Sequence, residues 1–276
     1  MSRFKLGIQL FSLRDEMEKD MDATLKKVAE MGYDCVEFAG YFDHSAEDVK
    51  AMCDKYGLEP VSTHQRYNVF FDDPVNSINY IKTLGLKYCA IPWVDPELWK
   101  TDYDKIIDDI KKVGKLMKDV GIQLLYHNHD FELSIKHNGK FVLDSMYEDV
   151  PSDLLCPQLD VCWVHYAGQN PVEYIKKYGD VEEVLHLKDF ECKKLAGGPV
   201  YGLIDDSGKV GDRRDRESDG FEFRAIGYGR QDIKSIMKAA EDTKIKYVIV
   251  EQDKHYENTC FEDAKLSIDY LRSIGY

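Results

Sequence analysis

The chain has 276 residues, 43% of them hydrophobic, and a formal charge of −14. That length fits one α/β barrel or two smaller domains, with enough apolar residues for a sizeable core. The acidic balance excludes a nucleic-acid surface, which needs lysine and arginine to displace counterions. Seven cysteines, with no CxxC pair, sit largely in apolar runs, as reduced core thiols do. The stretch from Met1 to Phe11 has too short an apolar run for a secretory leader, and nothing approaches the ~20 apolar residues of a membrane span. A soluble, cytoplasmic protein without membrane or nucleic-acid partners is expected.

Taken in chain order, one unit recurs: amphipathic helix, glycine break, short β-rich run, polar loop. Gly32, Gly57, Gly85 and Gly121 each stand where a helix needs a left-handed residue after its last turn. Helical faces are legible in Leu25, Val28 and Ala29, and again in Ile106, Ile110, Val113, Leu116 and Met117. Strand candidates number eight, at 6–10, 35–38, 60–64, 88–92, 123–127, 156–161, 184–188 and 247–251. Strands alternating with helices pair in parallel, and eight such units close into a single (β/α)8 TIM barrel. A doubly wound open sheet is the weaker alternative, because no GxGxxG follows the first strand. No linker marks a second domain, so 1–276 reads as one domain with a long insertion at about 190–223. That insertion reads as a solvated excursion, or as a lid or homo-oligomer contact, since it follows a strand end where barrel active sites lie.

Polar residues close, or nearly close, five of these strands: His64, His127, Asp160, His186 and Glu251. A charge inside a barrel costs several kcal/mol unless it is paired or metal-bound. Any one of these residues reads as an ordinary hydrogen-bonding group, but together they point to a shared site for one divalent ion. Lys188, two residues after His186, is expected to bind a substrate oxygen or to pair with Asp189 or Glu251. Trp93 and Trp163 are candidates for stacking on a sugar ring, with core packing as the commoner fate. Gln9, Gln158 and His165 are candidates for bonding sugar hydroxyls. His44, His137 and His255 read as surface residues.

The motifs Leu6-Gly7-Ile8-Gln9-Leu10, Tyr126-His127-Asn128-His129-Asp130-Phe131-Glu132, Leu159-Asp160-Val161-Cys162-Trp163, His186-Leu187-Lys188-Asp189, Gly227-Tyr228-Gly229 and Val250-Glu251-Gln252-Asp253 occur in this order. With them the chain resembles, nearly end to end, the xylose isomerase-like superfamily of sugar (phosphate) isomerases and epimerases. The resemblance implies a divalent ion (Mn, Zn, Mg or Co) held by Glu, Asp, His and Glu. Asp160, His186 and Glu251 match the last three. The first glutamate is replaced: the family's Glu-Asn-His stands here as His127-Asn128-His129. That leaves His127, His129 or Glu132 as the first ligand, and a set of two histidines and two carboxylates suits zinc or manganese.

The implied chemistry is proton abstraction next to a carbonyl, passing through an enediolate stabilised by the ion. Glu251 would be ligand and base, with His129, Glu132 or His64 as proton partner. A small sugar substrate and an isomerase or epimerase reaction are expected, with a 3-keto-glycoside lyase, hydratase or deglycosidase subunit as the rival. Phosphodiester hydrolysis is disfavoured by the charge, and a metal-free sugar-binding barrel is the remaining reading. Gly227-Tyr228-Gly229 is either a phosphate turn or the lead-in to the last helix.

Overall fold

The computed structural model describes residues 3–69, 74–193, 195 and 220–276. Gly32, Gly57, Gly85 and Gly121 adopt φ of 98°, 71°, 81° and 78°, ending their helices where the sequence predicts. Eight parallel strands follow from the alternation: β1 (Lys5–Gln9), β2 (Cys35–Phe38), β3 (Glu59–His64), β4 (Tyr88–Ile91), β5 (Gln123–His127), β6 (Cys156–Gln158), β7 (Val184–Leu187) and β8 (Tyr247–Val250). They hydrogen-bond in the order β6-β5-β4-β3-β2-β1-β8-β7. A parallel bridge between Asp160 and His186 joins the two outer strands, where the His186 N–H donates to the Leu159 carbonyl at 2.8 Å. The result is a (β/α)8 TIM barrel whose last seam closes at candidate site residues. β6 stops at Gln158, short of its expected end, because Asp160 already caps the helix Val161–Tyr166.

Side chains on a strand alternate between faces, and this sets the chemistry of each layer. Outward residues such as Leu6, Ile8, Val36, Phe38, Leu124 and Val248 are buried beneath the helices. Each contributes roughly 1.5–3 kcal/mol by leaving water. Inward residues Cys35, Leu125, Cys156, Val184 and Ile249 fill the lower barrel. Gly7 lets β1 approach this layer: a Cβ there would lie 2.6 Å from Ile249 Cδ1 and 2.7 Å from Cys35 Sγ. Two residues further along the same strands stand Gln9, Glu37, His127, Gln158, His186 and Glu251, all buried. The inner wall therefore turns from apolar to polar at one level, the C-terminal mouth.

Helix Tyr103–Asp119 buries Ile106, Ile110, Val113 and Met117 as expected, but Leu116 is exposed, lying off the buried stripe. The predicted insertion begins and ends in an antiparallel pair, Asp189–Glu191 with Glu222–Arg224. Phe190, Phe221 and Phe223 pack there with Trp163 and Tyr166, tying the pair to the barrel. Residues 209–216, part of that expectation, lie outside the described residues. None of the seven cysteines is in a disulfide. No helix among the described residues is long and apolar enough to cross a membrane.

Candidate metal centre at the barrel mouth

Glu37, which is not among the residues the sequence points to, organises the mouth. Its Oε1 accepts from Gln9 Nε2 at 2.6 Å and from His186 Nε2 at 2.6 Å, with His64 Nε2 at 2.9 Å. Its Oε2 accepts from Gln158 Nε2 at 2.6 Å and from the Ser62 hydroxyl. The available signal was one acidic residue on the inward register of an otherwise apolar strand, two positions after Cys35. Gln9 and Gln158, read as sugar contacts, are fully buried supports of this carboxylate. The other end of Gln9 accepts the Phe11 N–H at 3.0 Å, and Gln158 Oε1 lies 2.9 Å from His64 Nε2.

Glu37 accepts the Nε2 proton of His186, so the opposite nitrogen, protonated while it pairs with Glu251, is the one that would bind an ion on losing its proton. His186 Nδ1 lies 2.8 Å from Glu251 Oε2. Asp160 Oδ1 caps its helix through the N–H groups of Cys162 (2.9 Å) and Trp163 (3.4 Å), while Asn128 Oδ1 accepts the Asp160 N–H at 2.9 Å. Among the described residues Asp160 Oδ2 has ionic neighbours only, Lys188 Nζ at 3.2 Å and His127 Nε2 at 3.6 Å. His127 Nδ1 is buried without a hydrogen-bond partner. One donor atom from each of His127, Asp160, His186 and Glu251 falls within 4.8 Å of the others, all four residues buried. Ligands at about 2.1 Å from one ion lie at most ~4.2 Å apart, so a slight contraction would let these donors hold a divalent cation. A second grouping, His64, His127 and His186, overlaps the first.

The charge balance agrees. Four buried carboxylates (Glu37, Asp160, Glu251, Asp253) face two cations, Lys188 and protonated His186. Without an ion the excess is two negative charges, and an ion bound by His186 would first displace its second proton. Lys188 Nζ touches Glu251 Oε2 at 3.0 Å and Asp253 Oδ1 at 3.2 Å besides Asp160, whereas Asp189, one expected partner, bonds backbone amides. Burial raises the Asp253 carboxyl to about 6 against the pull of Lys188, with Glu251 and Asp160 pushing the same way. Burial also opposes charge on Glu37 and Glu251, yet His186 and His64 hold Glu37 low, and Lys188 and His186 hold Glu251 low. His127 is held well below the ordinary imidazole range by burial and then by His186, His64 and Lys188, so it is neutral, as a ligand must be.

Burial alone would lower His186, but Glu37 and Glu251 outweigh it and lift the imidazole to about 10. A raised folded pKa stabilises fully below the unfolded value near 6.5 and is lost as pH climbs towards 10. The depressed Glu37 and Glu251 stabilise above about 4.5 and lose that contribution on acidification. The metal-free protein should therefore lose stability as pH rises from about 6.5 towards 10. Circular-dichroism melts across that range check this, and a flat profile contradicts it.

The other predicted residues divide. His64 and His129 flank His127, with ring centroids 4.8 and 5.2 Å away. Trp163 is buried 5.6 Å from the His129 ring, with Lys188 Nζ 5.5 Å from its own ring centre. Trp93 is half-buried beyond β4 and packs on the core. Glu132 is not brought into the cluster: its oxygens accept from the Tyr126 hydroxyl at 2.7 Å and the His129 N–H at 2.8 Å, on the outer side of β5. Burial raises its carboxyl to about 8. His165 Nδ1 lies 2.6 Å from Gln231 Oε1. His44 is exposed and His137 stacks on Tyr103 at 3.7 Å. His255, read as a surface residue, is built in between Asp263 Oδ2 (2.7 Å) and the Ser12 carbonyl (3.0 Å).

The sequence pattern described as "Xylose isomerase-like TIM barrel" matches residues 25–274. The chain belongs to this family. Among curated proteins, inosose dehydratase of Geobacillus kaustophilus is 24% identical over 194 residues, a stretch covering 61% of this chain and 61% of that relative. Among solved structures, a sugar phosphate isomerase/epimerase from Parabacteroides distasonis superposes with a TM-score of 0.73 at 22% identity, covering 99% of this chain and 95% of that one. A probable 3-DHS dehydratase from Bacillus anthracis superposes with a TM-score of 0.74 at 12% identity, covering 98% and 99%. These two structural likenesses bear on the fold alone.

Proposed function

We propose that this barrel is a divalent-metal sugar isomerase or epimerase, moving a proton at the carbon next to a carbonyl of a small polyhydroxylated ketone. The observation that carries the reading is the four-donor cluster at the mouth, with its excess of two negative charges. His127, Asp160, His186 and Glu251 would hold the ion, which when bound supplies a Lewis acid that makes the neighbouring C–H acidic. Glu251 takes the proton, being ionised through the neutral range. Lys188, in contact with Glu251 and Asp160, keeps both carboxylates in place and offers an ammonium to a substrate oxygen. His64 and His129, on either flank of His127, return the proton or relay it. Trp163 walls the mouth beside His129, while Trp93 stands further out as a candidate sugar contact. Glu132 serves in this reading as a buckle that shapes the turn after β5 rather than as a proton carrier.

Dehydration is the second reading, favoured by the inosose dehydratase relative. It shares the first step: the same base removes the same proton, and an imidazole then protonates a departing β-hydroxyl. One experiment separates the outcomes. Protein loaded with manganese, zinc or cobalt is incubated in deuterium oxide with free ketoses, cyclic polyol ketones and 3-keto-glycosides, and products are read by mass spectrometry and NMR. Deuterium gained with the carbon skeleton and hydroxyls intact supports isomerisation or epimerisation. Loss of one water supports dehydration, and release of an aglycone supports glycoside elimination. No exchange with any ketone, together with no metal retained after dialysis, overturns the proposal.

A further inference from the structure

The four donors of the proposed centre come from neighbouring strands, and regular ladders hold them in two pairs. His127 stands opposite Gln158 in the β5–β6 ladder, and the Asp160 N–H bonds the Asn128 side chain at 2.9 Å, so His127 and Asp160 form one half. His186 stands opposite Ile249 in the β7–β8 ladder, and the Glu251 N–H bonds the Leu187 carbonyl at 3.1 Å, so these two form the other. Between the halves runs the seam of the barrel, where β6 and β7 share no ladder among the described residues. Lys188 crosses it through its side chain, in contact with Asp160 and Glu251. The backbone crosses it at the bridge of Asp160 with His186.

At that bridge the Leu159 carbonyl accepts the His186 N–H at 2.8 Å. In a regular parallel ladder Leu159 would give its own N–H to the Val184 carbonyl, two residues before His186. The N–H goes instead to the side chain of Glu182, whose Oε1 lies 2.8 Å away. A carboxyl stands where a strand carbonyl would, so a side chain spaces the seam. Glu182 is fully buried, its Oε2 has no hydrogen-bond partner among the described residues, and burial pushes its carboxyl well above the ordinary range. A buried acid left half-satisfied costs stability that an apolar residue would not. We propose that Glu182 is a positioning residue for the metal centre, its Oε1 setting the distance across the seam at which Asp160 and His186 reach one ion. The consequence for metal rests on the function proposed above, whereas the bond from Leu159 to Glu182 belongs to the fold itself.

Full-length Glu182→Gln and Glu182→Met test it. Glutamine keeps an oxygen in reach of Leu159 without a charge, and methionine fills the space without an acceptor. In the metal-free proteins, amide exchange at Leu159, read by NMR, is expected to be at least about 10-fold faster with methionine and within about threefold of the parent with glutamine. Parent-like exchange in the methionine variant overturns the inference. Zinc affinity, from competition with a chromogenic chelator, is expected to fall about 10–100-fold with methionine and to stay within about threefold with glutamine. An equal loss in both variants overturns the inference, because it makes the charge and not the acceptor responsible. Should the methionine variant not fold, Glu182→Asp decides: its carboxyl, one methylene short, is expected to weaken zinc about 10-fold, and parent-like affinity overturns the inference. A parent that holds no zinc defeats the function proposed above and this positioning role with it. Zinc held equally by the parent and the methionine variant defeats the positioning role alone.

Discussion

Asp160→Asn is expected to cut kcat/KM for the exchanging ketone by at least about 1,000-fold and to leave less than a tenth of the chains holding metal. The substitution removes one anionic donor of the four-residue cluster. It keeps the Oδ1 that caps Val161–Tyr166 through Cys162 and Trp163, so the helix start survives. Burial raises the Asp160 carboxyl above its ordinary range, which means its charge is held at a cost in the metal-free protein. The melting point of the metal-free variant should therefore match or exceed that of the parent while metal binding collapses. Elemental analysis, metal-competition titration and paired melts measure both effects. A variant that keeps stoichiometric metal with unchanged activity would falsify the role given to Asp160.

Glu37→Gln should behave in the opposite sense. Glu37 is an acceptor for Gln9, His186, Gln158 and Ser62, with His64 also in reach. An amide at this position turns two N–H donors towards groups that are themselves donors, and it leaves the imidazolium of His186 with one carboxylate instead of two. Losing one partner of a buried, hydrogen-bonded charge pair costs about 3–5 kcal/mol. That loss should appear as a lower denaturant midpoint in the metal-free protein. Metal affinity should also fall about 10–100-fold, because the bond from Glu37 to His186 Nε2 orients that ring and fixes which nitrogen is free. A competition titration with a chromogenic chelator reads the affinity. Unchanged stability and unchanged affinity together would remove Glu37 from the account.

Most of the candidate cluster is legible in the sequence, and the exceptions depend on neighbours that only the fold supplies. His127, Asp160, His186 and Glu251 are polar residues at the ends of apolar runs, a contrast visible in one dimension. Glu37 has the same contrast and, like His186, stands third in a four-residue strand, but no further polar residues follow it as Lys188 and Asp189 follow His186. Gln9 and Gln158 read from the sequence as sugar contacts, and only their neighbours across the barrel show that they brace Glu37. Glu132 was drawn towards the site by its closeness in sequence to His129. The 3-10 turn at Phe131–Leu133 instead carries it to the outer face of β5, where Tyr126 waits.

The order of elements, the left-handed glycines and the strand level at which side chains change from apolar to polar are local properties, written in residue periodicity and turn chemistry. They are determined by the sequence alone because each depends on only a few neighbouring residues. Which polar groups meet is a different matter. Lys188 contacts Asp253 and Asp160 rather than the adjacent Asp189, and Asp189 fills a turn about forty residues away, because barrel closure converts strand register into distance. The negative excess at the mouth is likewise created only when strands remote in sequence bring their ends together.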